Sequence, residues 1–439
     1  MRKRVLLLMA ALALIADGLS TAIVVTRTGT ASGGQQVWTP TVTPLPAGAS
    51  IGELDTVTCA AVQACMMMGN YSGNAGDRAP LAETGWQAHW TPAAAPRMTS
   101  SIEDLPEVRG LSCPSPGSCA AAVDTQHPEG GGLGGGAIAT LSDGMWTTTS
   151  LPSPLETARY QTVDAGGISC PAAGDCTAVG SAYNIVTTDR SRRYGLPVTA
   201  SLHGRTWTTA VAPLPADAAT GAIANAGLNA VACPSPGWCV AVGTYTRPDG
   251  RLKGLIETFS HGTWQAAAAP LPGNGTSPVL RSVACPALGS CTAVGQYDVG
   301  ATAAEDPGLP GIPSNIPGAG LIETLTGGVW RPAAAPPPNS TASHNGWQLN
   351  SVACRASGAC VAVGSYAVNE ADSGPVIDTL QAGNWAAIAA PIPADAESVF
   401  GQHALLRSVA CAPDGACVAV GGYSGGHSNV FIETNSYDR

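Results

Sequence analysis

Acidic side chains recur at one position of an internal pattern, and carboxyl groups are common proton donors and acceptors in hydrolytic enzymes. Each acid stands seven residues before a tryptophan or its expected position: Glu83, Glu257, Glu323, Asp378 and Glu433, with Ala139 and Ala200 at two equivalent positions. A glycosidase needs two carboxyl groups within about 5 to 9.5 Å of each other, whereas equivalent positions of a repeat belong to different units. The pattern therefore favours a structural role, in which each acid accepts a hydrogen bond from a backbone or indole N–H.

A second set of polar and aromatic residues lies in segments that are long, rich in Gly or Pro, and different from one another. These segments read "DTQHPEGGGLGGG", "NIVTTDRSRRYG", "DVGATAAEDPGLPGIPSNIPGAG" and "SHNGWQLN". Variable loops on a rigid frame are where binding sites arise. The candidate ligand-binding residues are Asp124, His127, Glu129, Arg193, Tyr194, Asp298, Glu305, Asp306, His344 and Trp347.

No catalytic or metal-binding constellation emerges from these candidates. The loop acids would suit an acidic rim or a weak calcium site, but they lack the alternation of a dedicated calcium loop, which favours solvated loops. The seven histidines are scattered without a common register, and no glycine run precedes a helix to hold a phosphate group. Only Arg109, Arg281 and Arg407 lie near the strands that would line a central site, which argues against an enzyme. We predict no catalytic residue, metal or cofactor.

Fourteen cysteines occur as seven pairs, and five residues separate the two members of every pair. Zinc sites usually need four ligands in closely spaced pairs, and no regular histidine complements these cysteines. Even, local pairing favours disulfides and an oxidising compartment. The predicted disulfides are Cys59–Cys65, Cys113–Cys119, Cys170–Cys176, Cys233–Cys239, Cys285–Cys291, Cys354–Cys360 and Cys411–Cys417.

The cysteine pairs belong to a repeat of 52 to 69 residues, as in "AVACPSPGWCVAVGTY" and "SVACPALGSCTAVGQY". Between successive pairs, a tryptophan is followed six positions later by proline. Each unit thus contains four short apolar runs separated by Gly, Pro and Ser, which is typical of strands. A four-stranded antiparallel sheet of this size, stacked between two neighbours, is a propeller blade.

The order of the strands predicts how the ring closes. The last unit, "NVFIETNSYDR", lacks its tryptophan strand, whereas "VWTPTVTPLP" precedes every cysteine and carries Trp38 and Pro44 at the repeat spacing. An N-terminal strand at 36–47 that pairs with the last blade would remove two exposed sheet edges. The predicted fold is all-β: a seven-bladed β-propeller of four-stranded antiparallel blades, each with one disulfide.

Composition limits the partners. The chain has 439 residues, with 54 Gly and 35 Pro, a mixture that suits strands and turns better than helices. The net charge is −10 and the only lysines are Lys3 and Lys253, so the basic surface that nucleic acid requires is missing. We predict no nucleic-acid partner and a monomer.

Residues 1–35 differ in composition from the propeller predicted at 36–439. They begin "MRKRVLLLMAALALIADGLS", with three basic residues before an apolar stretch. Two interpretations stay open: a cleaved signal peptide, or a membrane anchor, which Asp17 disfavours. Both place the rest of the chain outside the cytoplasm, either secreted or held at the cell surface.

The serial "SV-C-P-----C-AVG" units resemble secreted repeat proteins of high-GC actinobacteria, over about residues 36 to 439. This resemblance implies a propeller and export but no activity. A more distant similarity links "LSDGMW" to the Asp-box turn of sialidase-like propellers, although the other units lack its aspartate. Kelch and WD-repeat propellers are similar in blade arrangement alone.

Three functional hypotheses follow. The first is an exported, non-enzymatic propeller that binds a protein or glycan at the cell surface. The second is a glycan-active enzyme, a sialidase-like hydrolase or a lyase, with its site at the central channel. The third is a structural component of the cell envelope.

Overall fold

The computed structural model describes most of the compact unit Gln36–Arg439. The described residues are 37–43, 45, 49–73, 78–86, 89–93, 95, 105–126, 135–155, 161–185, 193–299, 318–339, 346–356, 358–369, 372–393, 403–425 and 427–436. Apart from one short 3-10 helix, Gly221–Ile223, the regular elements among them are β-strands. Across these ranges, no helix has the length and apolarity needed to cross a bilayer.

Five antiparallel sheets have four strands each, in chain order from the first strand to the fourth. Their strands are β2 (Ala49–Ala61), β3 (Ala64–Gly73), β4 (Arg78–Trp86) and β5 (His89–Pro92); β6 (Leu105–Ser115), β7 (Ser118–Gln126), β8 (Gly136–Ser142) and β9 (Met145–Ser150); β10 (Gln161–Ala172), β11 (Asp175–Ile185), β12 (Arg193–His203) and β13 (Thr206–Val211); β14 (Ala226–Ser235), β15 (Trp238–Thr246), β16 (Leu252–Ser260) and β17 (Thr263–Ala268); and β18 (Thr276–Ala287), β19 (Ser290–Asp298), β20 (Gly318–Thr326) and β21 (Val329–Ala334).

The sixth sheet has eight strands. They are β1 (Val37–Val42), β22 (Trp347–Ala356), β23 (Ala359–Ala367), β24 (Ser373–Gln381), β25 (Asn384–Ala389), β26 (His403–Cys411), β27 (Cys417–Gly425) and β28 (His427–Ser436). A parallel bridge between Ser373 and His403 joins β24 to β26. In this sheet β1 pairs antiparallel with β28, from Val37 opposite Ser436 to Val42 opposite Phe431.

The prediction of seven separate four-stranded blades is therefore wrong, because the strands form six blades, one of which has eight strands. The repeat pattern specifies pairing within a unit. It contains no signal for the contact between the third strand of one unit and the first strand of the next, where unpaired edge groups of β24 meet β26.

The first strands form a closed inner ring. Each contacts the next in the order β2, β6, β10, β14, β18, β22 and β26, and β26 contacts β2 again. Serine hydroxyls fasten these contacts: Ser351 Oγ accepts a hydrogen bond from the Val409 N–H at 3.2 Å, and Ser408 Oγ accepts one from the Val57 N–H at 3.2 Å. The second bond joins residues 351 positions apart in the chain, so it seals the ring.

All seven predicted disulfides form, and each joins the first and second strands of one repeat. This arrangement is typical of an oxidising, extracytoplasmic environment. In the turn between these two strands, the residue four positions after the first cysteine has a positive φ. Glycine fills this position in six repeats, among them Gly237 and Gly289, and Gln63 fills it in the first.

Every first strand contains a β-bulge at the residue four positions before its cysteine. The bulge brings the strand's backbone close to the glycine of the "AVG" phrase in the second strand. A Cβ on Gly295 would overlap the carbonyl oxygen of Val279, and Gly243 stands in the same relation to Gly227. The recurrent glycine is therefore explained by close approach of two backbones.

The core consists of small apolar clusters, most of them between neighbouring sheets and one between the two halves of the eight-stranded sheet. Val240, Val242 and Ile256 of one sheet pack against Leu280 and Ala293 of the next, and none is more than 1% exposed. Both faces of the second and third strands are covered in this way. This explains why "CVAVG" is apolar at almost every position.

Candidate functional site

The bulges place one residue of each first strand on the inner ring, and we call these residues the bulge ring. The extra residue of a bulge breaks the alternation of a strand, so its side chain is turned away from the core. Six members carry a charge or an amide, and the seventh is glycine: Asp55, Arg109, Gly166, Asn229, Arg281, Asn350 and Arg407. This position is polar in a strand that is otherwise mostly apolar or small.

Members of the bulge ring reach along the ring to the next first strand. Asn229 Nδ2 donates a hydrogen bond of 2.7 Å to the Leu280 carbonyl, and Asn350 Nδ2 donates one of 2.8 Å to the Leu406 carbonyl. The Asn229 amide is thereby committed to holding two adjacent sheets together, and the Asn350 amide to holding β22 against β26 within the eight-stranded sheet. The charged members have different environments.

Arg407 lies between two acids of the neighbouring strand β2. Its Nη2 is 3.7 Å from Glu53 Oε2, and its Nε is 3.7 Å from Asp55 Oδ1. The Asp55 side chain is 13% exposed. Burial raises the pKa of Asp55 to about 6, against the opposing effect of the Arg407 guanidinium.

Arg109 is the centre of a second charged group. Its Nη2 is 2.7 Å from Glu107 Oε2, and its Nε is 3.8 Å from Asp124 Oδ2 on the second strand β7. Asp124 also accepts a hydrogen bond of 3.4 Å from the Ala165 N–H of the next sheet. Burial, reinforced by the nearby Asp164 carboxylate, raises the pKa of Asp124 to about 7. Carboxyl groups that titrate near neutrality are typical of functional sites.

Arg281 differs from both of these arginines because its partners are neutral. Its Nη2 donates to Gln296 Oε1 at 3.3 Å and to Gln348 Oε1 at 3.2 Å. Gln348 is itself oriented by a 3.5 Å hydrogen bond from its Nε2 to Ser365 Oγ. Burial lowers the pKa of Arg281, with no compensating carboxylate among the described residues.

These residues give the inner ring an uneven charge. Five acids and two arginines follow one another over the first three sheets and β26: Glu53, Asp55, Glu107, Asp124, Asp164, Arg109 and Arg407. We call this set the acidic arc. Arg281 lies outside it, on β18. The arrangement offers carboxylate acceptors on one part of the ring and guanidinium and amide donors on another.

Of the predicted ligand-binding residues whose side chains the structure describes, only Asp124 belongs to this site. Asp298, at the end of β19, hydrogen-bonds with Ser277, and burial raises its pKa. Trp347 is half-buried; an added Cβ on Gly320 would lie 2.7 Å from its Nε1, so the indole packs against that strand. The side chains of Arg193 and Tyr194 lie outside the described part, as do His127, Glu129, Glu305, Asp306 and His344.

Sequence reasoning discounted the three arginines and did not single out Asp55, Gln296 or Gln348. A signal was present, because phrases such as "LRSVAC" place two polar residues side by side within an apolar strand. That break in alternation is what a bulge requires. Which polar residues meet across strands is not encoded in the repeat.

Four third-strand acids, Glu83, Glu257, Glu323 and Asp378, are buried between sheets and take no part in the inner ring; the side chain of Glu433 lies outside the described part. Glu257, Glu323 and Asp378 are 0% exposed, and their carboxyl oxygens have no hydrogen-bond donor among the described residues. The expected backbone or indole partner is therefore not present. Burial raises the pKa of Glu257 and Glu323 to about 8 and that of Asp378 to about 7, so at neutral pH the two glutamates are mostly protonated and the aspartate is about half protonated.

The side chains at the position of these acids pack against the preceding sheet. Where the third strand has Ala200 instead of an acid, Leu151 of the preceding sheet fills the space in the same buried cluster. Opposite Glu257 the equivalent residue is the smaller Ala212. At these two positions the exchange of sizes supports a structural role.

A separate pocket of about 380 Å³ lies at the opposite end of the strands, beside the turns between first and second strands. Its lining is mostly small or apolar, with Cys65, Met66, Cys113, Pro116 and Cys119, and includes only a few polar groups such as His89. We do not assign the site there, because the charged residues are elsewhere. Within the described ranges, no group of three or more His, Cys, Asp or Glu side chains is arranged to hold a metal ion.

No family model matches the chain, and no curated protein is similar to it in sequence. The fold is distantly similar to those of sialidase-like and other β-propellers. YCF48 bound to the D1 peptide is 13% identical, covering 91% of this chain and 97% of that one, with a TM-score of 0.44. Trypanosoma rangeli sialidase with the inhibitor DANA is 12% identical over 72% of this chain and 53% of that one, about half its length, with a TM-score of 0.41.

The β-propeller domain of the Trilobed protease from Pyrococcus furiosus is 8% identical, covering 89% of this chain and 99% of that one, with a TM-score of 0.42. Similarity at this level concerns the fold alone. The resemblance to actinobacterial repeat proteins stays a prediction. The chain is an all-β propeller with disulfide-linked repeats.

Proposed function

We propose that this protein is an exported, non-enzymatic propeller that binds a glycan at the polar mouth of its inner ring. The observation that supports this function is the bulge ring, which places charged and amide side chains at one level of the inner strands. The disulfides support export, because such bonds persist in oxidising compartments.

The chemistry of the ring favours a glycan over a protein. Sugar hydroxyl groups both donate and accept hydrogen bonds, and the ring offers acceptors such as Asp55 beside donors such as Arg109 and Arg281. A protein partner usually inserts aromatic or aliphatic anchors into apolar pockets. The described apolar pocket lies at the other end of the strands.

A glycan array probed with the full, disulfide-intact chain tests this function. Binding of one glycan class, lost in Arg109→Gln and kept in Arg205→Gln, is the expected result. Arg205 is an exposed turn residue and serves as the control. Binding to peptides and to no glycan would overturn the proposal in favour of a protein-binding role.

A second candidate is a glycan-active hydrolase, because burial raises the pKa of Asp55 to about 6 and that of Asp124 to about 7, and both carboxyl groups interact electrostatically with Glu107 and Arg109. One protonated and one ionised carboxyl group are what glycoside hydrolysis requires. The test incubates the protein with any glycan that the array identifies and measures the release of reducing sugar. Release that is abolished in Asp124→Asn would favour this candidate over binding alone.

A further inference from the structure

One cation of the inner ring has no carboxylate beside it among the residues that the structure describes. Arg109 and Arg407 each lie within 4 Å of two carboxylates. Arg281 has no carboxylate at ion-pair distance among the described residues, and its only partners there are the amide oxygens of Gln296 and Gln348. A partly buried charge without a counter-ion is costly, and it attracts an anion from solution or from a ligand.

The partners of Arg281 fix its orientation and leave donors unused. Both glutamine oxygens accept from Nη2, so that the guanidinium is held between its own sheet and the next one. Nε is buried and has no hydrogen-bond partner in the described part of the chain. Nη1 likewise makes no hydrogen bond to the described residues. Of these two nitrogens, Nη1 is the one that is not buried. A positioned guanidinium with a free Nη1 is pre-organised to accept an oxyanion, since little side-chain entropy is lost on binding.

The surroundings select a singly charged group. Gln296 and Gln348 supply no second positive charge, and the acidic arc on the rest of the ring repels a multivalent anion such as a phosphate group. A carboxylate has one charge and a planar shape that matches a guanidinium. Gln348 lies on β22 of the neighbouring sheet, so the proposed carboxylate site lies where two sheets meet.

From these contacts we propose that Arg281 binds a carboxylate of the ligand, so that the glycan bound by this protein is a uronic-acid or similarly carboxylated sugar. This inference rests on the proposed function and specifies its ligand class. It assigns Arg281 as the residue that distinguishes acidic from neutral glycans. The other charged members of the bulge ring, Asp55, Arg109 and Arg407, hold the sugar hydroxyls.

The test uses uronic-acid oligosaccharides, each paired with its methyl ester, which lacks the charge and keeps the hydroxyl groups. Titration calorimetry with the full chain should show at least tenfold tighter binding of the acid than of the ester. Arg281→Gln should reduce this ratio to about one while ester binding remains. Arg205→Gln, in an exposed turn, should leave the ratio unchanged.

A second variant protects the test against misfolding of Arg281→Gln. Gln348→Glu keeps the guanidinium but places an internal carboxylate beside it, which competes with the ligand. It should also lose the preference for the acid, with ester binding retained. Equal affinity of the parent protein for acid and ester would overturn the inference and leave glycan binding intact. A preference that survives in both variants, or equally tight binding of sulfated glycans, would also overturn it. Binding of no glycan at all would overturn the proposed function as well.

Discussion

Thr43 Oγ1 donates a hydrogen bond of 3.2 Å to Glu83 Oε1, across the junction between the N-terminal strand's sheet and the next sheet. Thr43 follows β1 directly, and Glu83 lies in the middle of β4, where it is 0% exposed. In the other repeats the residue equivalent to Thr43 is alanine or leucine. Among the third-strand acids whose side chains the structure describes, Glu83 is thus the one that has a side-chain donor.

Thr43→Ala should lower the free energy of unfolding at pH 7 by about 1 kcal/mol, because a buried acceptor loses its donor. It should also raise the pKa of Glu83 above its present value of about 7, since this hydrogen bond favours the ionised form. Guanidinium unfolding measures the first effect, and the pH dependence of stability measures the second. Thr39→Ala, at an exposed position of β1, is the control and should be silent.

Stability should fall as the pH rises from about 4.5 to 8. The unfolded chain releases the protons of Glu257 and Glu323 near the ordinary pKa of about 4.3, whereas the folded chain holds them until about pH 8. The folded state therefore binds more protons in this window, and the free energy of unfolding decreases with pH. Glu323→Gln should be more stable than the parent by on the order of 2 to 4 kcal/mol at pH 8 and equal to it at pH 4.

Asp143, an exposed acid in a turn, provides the matched control for the pH experiment. Asp143→Asn should leave the profile unchanged, because Asp143 is solvated in both states. A parent protein whose stability is flat between pH 4.5 and 8 would show that the buried acids are not protonated in the folded state.

Gly295→Ala should destabilise the protein strongly, by about 3 kcal/mol or more. Its Cβ would overlap the Val279 carbonyl oxygen, which is backbone and cannot move without opening the bulge. Gly318→Ala, at the start of β20, is the control, because the nearest atom to its added Cβ is 3.9 Å away. Melting temperatures of the two variants give the comparison, and similar values would contradict the close approach described above.

Gln63→Gly should stabilise the protein by about 0.5 to 1 kcal/mol. Gln63 has φ 59°, a conformation that costs a residue with a Cβ about 1 kcal/mol. Gly237 occupies the equivalent turn position, so Gly237→Ala is the reciprocal control and should be destabilising. Chemical denaturation of both variants measures the change in the free energy of unfolding, and it tests whether the backbone conformation alone determines the direction of each change.

The repeat in the sequence was sufficient to predict the strands and the disulfides, because both depend on contacts within one unit, and the serial repetition of that unit predicted a propeller. Cysteines six positions apart, such as Cys285 and Cys291, are close enough in the chain to pair across a tight hairpin, so their spacing predicts the disulfide. The glycine of "AVG" and the turn glycine such as Gly289 are likewise explained by backbone geometry inside one unit.

The number of sheets and the composition of the candidate site depend on contacts between units, which the repeat does not specify. The bridge from Ser373 to His403 merges two predicted blades into one sheet. Arg281 meets Gln348 of the next first strand, while Arg407 meets Asp55, although both arginines stand at the same repeat position. Their different charge environments arise because ring closure brings distant parts of the chain together, and only the tertiary structure decides which neighbour each one has.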